Sequence, residues 1–433
     1  MKKQLLCIIA LVAAITACKK NHNDAPVTTP VSYPAIAEAT NPAVFFTAPN
    51  GTKAYNGGFG SAIAADPNDP NVFYLMTDRG PNVVGQQSAT AIVIGKPDFT
   101  PSIGKFRLKD GVLTLESTIQ FKNAAGVNLT GLPNPIGVGN TGEVPYDLSG
   151  NLLPYSADGI DSEGLTRMPD GTFWVSDEYG PHIIHFDATG RTIERINPFG
   201  TGTGGRKIPL VFATRKPNRG MEGLTVTPDG KTLVGMMQSP MLNPSKTAVA
   251  NSLVLRILTF DIATGATKQY AYLMDNITLT GVSDIVAVNA TTFLTVERDA
   301  LFAGDPVAPA TFKKVFKIDI SNATDISDPT NGVNGKLYSG KTVEQLNDLS
   351  GLQAAGVTPV TKTVVLDLLK DLPTPYTHDK CEGLALLPGN ILAISNDDDF
   401  GVADNGASGF APKILPSTKK VDDNTIYFVK IKL

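Results

Sequence analysis

The residues of this chain that could do chemistry are carboxylates, and they come attached to a repeated phrase. Glu163-Gly164-Leu165-Thr166-Arg167-Met168-Pro169-Asp170-Gly171 recurs as Glu222-Gly223-Leu224-Thr225-Val226-Thr227-Pro228-Asp229-Gly230, and more loosely as Glu382-Gly383-Leu384-Ala385-Leu386-Leu387-Pro388-Gly389-Asn390. Degenerate copies begin at Ser61 and Asp284. Each copy opens on a polar or acidic residue and runs into a turn, so each predicts a hairpin. Counting outward from the turns, Glu163 is expected to face Glu178 with Asp177 beside it, and Glu382 to face Asp397. Asp284 is expected to face Val296-Glu297, Ser61 to face Thr77-Asp78, and Glu222 to face Met237.

Carboxylates that converge repel one another, and a bound cation is the usual remedy. Ca²⁺ takes six to eight hard oxygens and tolerates irregular geometry. Glu163, Asp177, Glu222, Asp284, Glu297, Glu382, Asp397 and Asp78 are therefore the expected ligands of a divalent metal, with Ca²⁺ the expected ion. Arg79 follows Asp78 and Arg298 follows Glu297. An arginine fork matches phosphate oxygens, so Arg79 and Arg298, with Glu178, are catalytic candidates for phosphoester chemistry. His378, close before Glu382, is a candidate general acid. The alternative is that these acids end strands and pair with arginines, as structural ion pairs do.

Other residues are less informative. His182 and His185 are three apart on a strand and point to opposite faces, so they cannot share a metal. Cys381 reads as a small buried hydrophobe, and Trp174 as core. The Gly-rich runs at 139–142 and 200–205 lack both a strand-to-helix context and a phosphate-loop lysine.

The elements that must position the acids are strands. Leu165–Met168, Thr172–Ser176, His182–Asp187 and Thr192–Ile196 form one group of four, and Leu224–Thr227, Thr232–Met236, Leu253–Asp261 and Thr267–Leu273 another. Repetition on this scale signals a solenoid, propeller or array. The order of strands and turns describes a four-stranded antiparallel blade. The fold class is thus all-β, a β-propeller of four-stranded antiparallel blades, with five motif-bearing blades and room for a sixth in the long intervals. Thr425–Lys432 is expected as the third strand of the last blade, with Val44–Thr47 closing the ring. Val343–Leu349 is a short helix candidate.

The N-terminus has a charged start, an apolar stretch and Ile15-Thr16-Ala17-Cys18, similar to a bacterial lipobox. Residues 1–17 are expected to be a signal peptide and 18–40 a lipidated Cys18 with a flexible Pro-rich tether, with 41–433 forming the propeller domain. The expected location is the cell envelope, as an outer-membrane lipoprotein; an ordinary secretory signal is the alternative. With Cys7 in the leader and Cys18 lipidated, only Cys381 remains, which excludes an internal disulfide. A net charge of −4 over 433 residues, with no basic run, argues against nucleic acid. The protein is expected to act as a monomer.

Asp161-Ser162-Glu163-Gly164-Leu165 and the following Pro169-Asp170-Gly171-Thr172-Phe173-Trp174-Val175-Ser176-Asp177-Glu178-Tyr179-Gly180-Pro181 resemble the hallmark of the phytase-like family, also described as "esterase-like activity of phytase". Companion pieces are Asp78-Arg79-Gly80-Pro81, Gly220-Met221-Glu222-Gly223-Leu224, Val296-Glu297-Arg298-Asp299 and Lys380-Cys381-Glu382-Gly383-Leu384. The resemblance covers nearly all of residues 55–432. It implies a propeller-like, secreted or lipid-anchored hydrolase of a small phosphorylated substrate. The last copy departs from an Asp-Glu pair, reading Ser395-Asn396-Asp397-Asp398-Asp399, which alters the implied metal geometry. Two other classes fit the same acids: a metal-dependent lactonase of the gluconolactonase type, and a non-catalytic binding propeller.

Overall fold

A computed structural model describes residues 32–39, 42–279, 281–406 and 409–433. Cys18 and the leader lie outside the described residues. The folded unit runs from Tyr33 to Leu433. Among the described residues no helix is long and apolar enough to cross a membrane.

Strands dominate, and they fall into five antiparallel groups of four, giving a β-propeller-like fold. The first group is Phe59–Ala65, Val72–Thr77, Ser102–Lys109 and Val112–Gln120. The second is Ser162–Arg167, Phe173–Asp177, His182–Phe186 and Thr192–Ile196. The third is Met221–Val226, Thr232–Met237, Val254–Asp261 and Thr267–Leu273. The fourth is Gly281–Ala287, Thr292–Arg298, Lys313–Asp319 and Thr361–Asp367. The fifth is Gly383–Leu387, Ile391–Ser395, Thr425–Lys430 and Ile36–Ala39. The repeated Pro-Asp-Gly supplies the first hairpin turn of the second and third blades. Gly171 and Gly230 adopt φ of +90° and +71° there, a region open to glycine at little cost.

The first strands of the five blades are neighbours in a closed ring, and a hydrogen bond crosses every junction. Ser162 Oγ donates to the Thr77 carbonyl at 2.7 Å, Ser176 Oγ to the Glu222 carbonyl at 3.0 Å, and Ser395 Oγ to the Gly60 carbonyl at 3.1 Å. The Ala287 amide donates to Thr225 Oγ1 at 3.1 Å, and the Leu384 amide to Asp284 Oδ2 at 2.7 Å.

The core follows the same plan. Side chains alternate across each strand, so each blade presents one apolar face to each neighbour. Phe173 and Val175 pack with Tyr74, Met76 and Ile103 of the first blade, while Trp174 between them packs with Leu233, Leu258 and Phe260 of the third. Similar clusters fill the remaining three junctions. Strands buried on both faces explain why the sequence reads as short continuous apolar runs.

Three expectations change. The ring is closed by Ile36–Ala39, which pairs antiparallel with Thr425–Lys430 and parallel with Val112–Gln120. Ala37 is fully buried in that junction. Val44–Thr47 instead forms a hairpin with Lys53–Tyr55, because Phe45 and Phe46 pack on Phe99, Phe400 and Phe410. The long intervals hold no sixth four-stranded group among the described residues. One carries the small sheet of Asn82–Val84, Ala91–Ile94 and Val144–Tyr146. The other carries a 3₁₀ turn, Glu344–Leu346, and a helix, Leu349–Ala354, in place of one helix over 343–349. A buried ion pair holds this excursion to the third blade: Arg256 Nε lies 2.6 Å from Glu344 Oε1.

Candidate functional site

Strand register decides which side chains reach the ring's axis. In the second blade Ser162 pairs with Asp177 and Gly164 with Ser176, so Glu163 stands on a bulge. Glu222 stands on the same bulge, between the Met221–Met237 and Gly223–Met236 pairs. A bulge re-aims its residue. In the fourth blade the bulged residue is Ser283, between Val282–Glu297 and Asp284–Val296. The first blade places Ser61 there and the fifth Glu382, just ahead of the Gly383–Ser395 pair. One level of the ring is therefore Ser61, Glu163, Glu222, Ser283 and Glu382. Two residues beyond the partner of the next position lies a second level: Asp78, Glu178, Gln238, Arg298 and Asp397.

The glycine of each Glu-Gly-Leu phrase has its own role. A Cβ on Gly164 would sit 2.4 Å from the Leu224 amide and from Ser176 Oγ, and one on Gly383 would sit 2.2 Å from Ser395 Oγ. Glycine lets adjacent first strands approach and leaves room for the junction hydrogen bond of Ser176 or Ser395. Asp284 occupies the glycine position of the fourth blade. Its carboxyl accepts the Leu384 and Ile285 amides, both at 2.7 Å. It fastens two blades together instead of joining the axial acids, and the copy aligned at Asp284 is in register at Ser283.

The acids do not form one uniform ring. Asp161, Glu163 and Glu178 bring one oxygen each to within 4.8 Å of one another, and Asp78, Asp397 and Asp399 do the same. In the first group, burial pushes Glu163 well up, and Glu222, Asp161, Glu382 and Glu178 push it further. Burial and Asp161 raise Glu178 against the pull of Arg79 and Arg219. Burial, Glu178 and Glu382 raise Glu222 against Arg298. Asp161 is pushed up to about 6 by burial, with Arg79 opposing. Three buried carboxylates in mutual repulsion form a hard-oxygen donor set that suits a divalent cation.

The second group carries its own cations. Lys380 Nζ lies 2.7 Å from Asp397 Oδ2 and 2.6 Å from Asp399 Oδ1, and buried Lys413 Nζ lies 2.7 Å from Asp399 Oδ2. Burial and Asp399 raise Asp397 to about 7. Burial would raise Asp399 as well, but Lys380 and Lys413 outweigh it and hold it low. Asp78 is half-buried and accepts the Gly80 amide at 2.8 Å. A cavity of about 210 Å³ lined by Asp78, Asp379, Asp399 and Lys413 opens beside this group.

Other predicted site residues are committed elsewhere. Asp177 lies 2.9 Å from His182 Nδ1 and accepts the Asp161 and Tyr179 amides at 2.9 and 3.1 Å. Burial would raise it, yet the His182 bond and Arg195 hold it below the usual range. Fully buried Glu297 takes the Tyr272 hydroxyl, the Asp275 amide and Lys362 Nζ, away from the axis. His378 Nδ1 meets Asp422 Oδ1 at 2.6 Å between Tyr376 and Tyr427.

Both arginines are engaged as well. Arg79 Nη1 donates to Glu143 Oε2 at 2.9 Å and Asn218 Oδ1 at 3.1 Å, and Nη2 to Asn82 Oδ1 at 3.0 Å. Arg298 Nε donates to Ser283 Oγ at 2.8 Å, and Nη2 to Glu382 Oε1.

Reasoning from the repeat missed Asp161, Glu143, Lys380, Lys413 and Asp399. Asp161 stands two residues before Glu163, so its place in the motif was a signal. Glu143 and Lys413 arrive from loops distant in sequence and had none.

Residues 55–400 match the family described as "Phytase-like: Esterase-like activity of phytase". The chain belongs to the phytase-like family. An uncharacterized secreted protein of Arthroderma benhamiae is 29% identical over 274 residues, 50% of this chain and 51% of the relative. This phytase-like chain thus spans about half the length of the curated relative it matches. Among solved structures, hydrazine synthase of Kuenenia stuttgartiensis aligns at 13% identity over 87% of this chain and 88% of its own, with a TM-score of 0.34. Virginiamycin B lyase of Staphylococcus aureus aligns at 12% identity over 87% and 85%, with a TM-score of 0.31.

Proposed function

We propose that this phytase-like protein is a metal-dependent phosphoester hydrolase that acts on a small phosphorylated substrate at the mouth of its channel. The observation that carries the reading is the buried Asp161–Glu163–Glu178 group beside Arg79, in a chain of this family. Asp161, Glu163 and Glu178 would hold a hard divalent ion, and Ca²⁺ suits their irregular, all-oxygen arrangement. That ion would supply charge neutralisation and Lewis-acid polarisation of a phosphoryl oxygen. Arg79 orients the phosphate, taking its oxygens in place of the Glu143 carboxylate that it now holds. Arg298 holds Glu382 in place. The protein is exported and anchored to the outer membrane through lipid on Cys18, as a monomer.

A second reading, lactone hydrolysis, is favoured by one observation: both arginines are already paired with carboxylates, which weakens the case for a phosphate clamp.

The test is metal analysis of purified protein, followed by a panel of phosphomonoester, phosphodiester and lactone substrates. The proposal expects phosphoester turnover that is lost on chelation and in Glu163→Gln. Turnover of lactones alone moves the assignment to the second reading. No turnover and no bound metal makes the protein a binding propeller. For the anchor, Cys18→Ala should release the protein from membranes; equal recovery in salt-washed membranes overturns that part.

A further inference from the structure

Two levels of the ring carry neutral residues where other blades carry charge, and one of them has an unusual feature. Ser61 takes the position of Glu163, Glu222 and Glu382 in the first blade. It is fully buried, and among the described residues its Oγ has no hydrogen-bond partner. A buried hydroxyl without a partner loses its hydration uncompensated, so such groups normally meet a ligand, an ion or water. The equivalent serine of the fourth blade, Ser283, receives Arg298 Nε. Ser61 has no such partner.

Its neighbours define what would fit. The first blade lies between the second and the fifth, so Ser61 is flanked at its own level by Glu163 and Glu382. Across the ring lies Glu222, which Glu163 and Glu382 both repel. At this level stand three carboxylates, of which Glu382 is paired with Arg298 from the second level. A serine arm is two atoms shorter than a glutamate arm, so Ser61 brings its oxygen in from further back than Glu163 does. Only a small ligand can reach a group with no solvent exposure.

We propose that Ser61 Oγ is a neutral ligand of the channel's cation, on the axial side of Glu163. This rests on the metal reading above and adds a ligand from a blade that contributes no acid at this level. The shell is then deliberately mixed: carboxylates supply charge, and Ser61 supplies a hard oxygen without further repulsion.

The test is a ligand swap in detergent-solubilised full-length protein. Ca²⁺ and Cd²⁺ affinities are measured by calorimetry and by thermal shift for wild type, Ser61→Ala, Ser61→Cys and Glu178→Gln. A thiolate is soft and favours a soft metal over Ca²⁺. Ser61→Cys should lose Ca²⁺ affinity by about tenfold or more, the scale on which even outer-shell partners of a metal act, and should gain Cd²⁺ affinity over wild type. Cys381 does not confuse the comparison, because it is fully buried in the core and present in every variant. Ser61→Ala should lose Ca²⁺ affinity with no gain for Cd²⁺. Melting of the chelated variants reports any folding defect separately. Unchanged Ca²⁺ and Cd²⁺ affinities in Ser61→Cys, with Ca²⁺ binding weakened in Glu178→Gln, overturn the Ser61 proposal and leave the metal reading standing. Absence of Ca²⁺ binding in wild type overturns both.

Discussion

The Asp284 carboxylate of the fourth blade accepts the backbone amide of Leu384 in the fifth, at 2.7 Å. A neighbouring copy of the repeat has glycine at this point, so one position solves the same junction in two ways. Burial raises the Asp284 carboxyl well above its usual range. Its two oxygens are taken by the Leu384 and Ile285 amides.

Asp284→Ala should therefore destabilise the fold by about 1–3 kcal/mol, the scale of a buried donor left unsatisfied, while cation affinity stays at the wild-type value. Denaturant titration with calorimetry of the folded variant checks both halves. A loss of cation binding at full stability would return Asp284 to the axial site.

Gly164→Ala probes the other solution. The added Cβ meets backbone of the third blade and Ser176 Oγ at 2.4 Å, so strand or side chain must shift. A cost of about 1–3 kcal/mol is expected from overpacking. Gly171→Ala, at a turn where the added Cβ would meet only Ala188 Cβ at 3.9 Å, should cost less and act through its positive φ. Equal melting temperatures for Gly164→Ala and wild type would contradict the close approach.

Arg298→Ala removes the partner of buried Glu382 and frees Ser283. Breaking a buried pair by removing one side costs about 3–5 kcal/mol. A large loss of stability is expected before any effect on substrate handling. A stable Arg298→Ala protein with only a raised KM would show that the arginine serves substrate directly.

Chelation should lower the melting temperature more at pH 8 than at pH 5. Glu163, Glu178 and Glu222 are raised by burial, and by acidic neighbours in each case. In the metal-free protein they bind protons more readily folded than unfolded. Their contribution is present below the unfolded range, about 4.3, and is lost as pH rises through the raised values. His182 works in the opposite sense: burial and Arg195 lower it to about 4, so it removes stability as pH falls from about 6.5 to about 4. Differential scanning with and without Ca²⁺ at both pH values decides. A drop in melting temperature on chelation that is equal at pH 8 and pH 5 would remove the case for mutually repelling acids.

The sequence by itself determined the repeat, the turn positions and the all-β class, because these are local. Pro-Asp-Gly sets a turn, and apolar runs such as Phe173-Trp174-Val175 set strands buried on both faces. It also marked Glu163, Glu222 and Glu382, since the phrase that carries them is shared. What it could not decide was register. One bulge moved the equivalent position from Asp284 to Ser283, and with it turned a carboxylate from the axis to the blade junction. Pairing between distant segments was equally hidden: Ile36–Ala39 closes the ring because Ala37 fits a tight junction, and Lys413 reaches Asp399 from a loop with no motif. Side-chain commitments of this kind depend on which groups share a low-dielectric space, and only the folded ring creates that space.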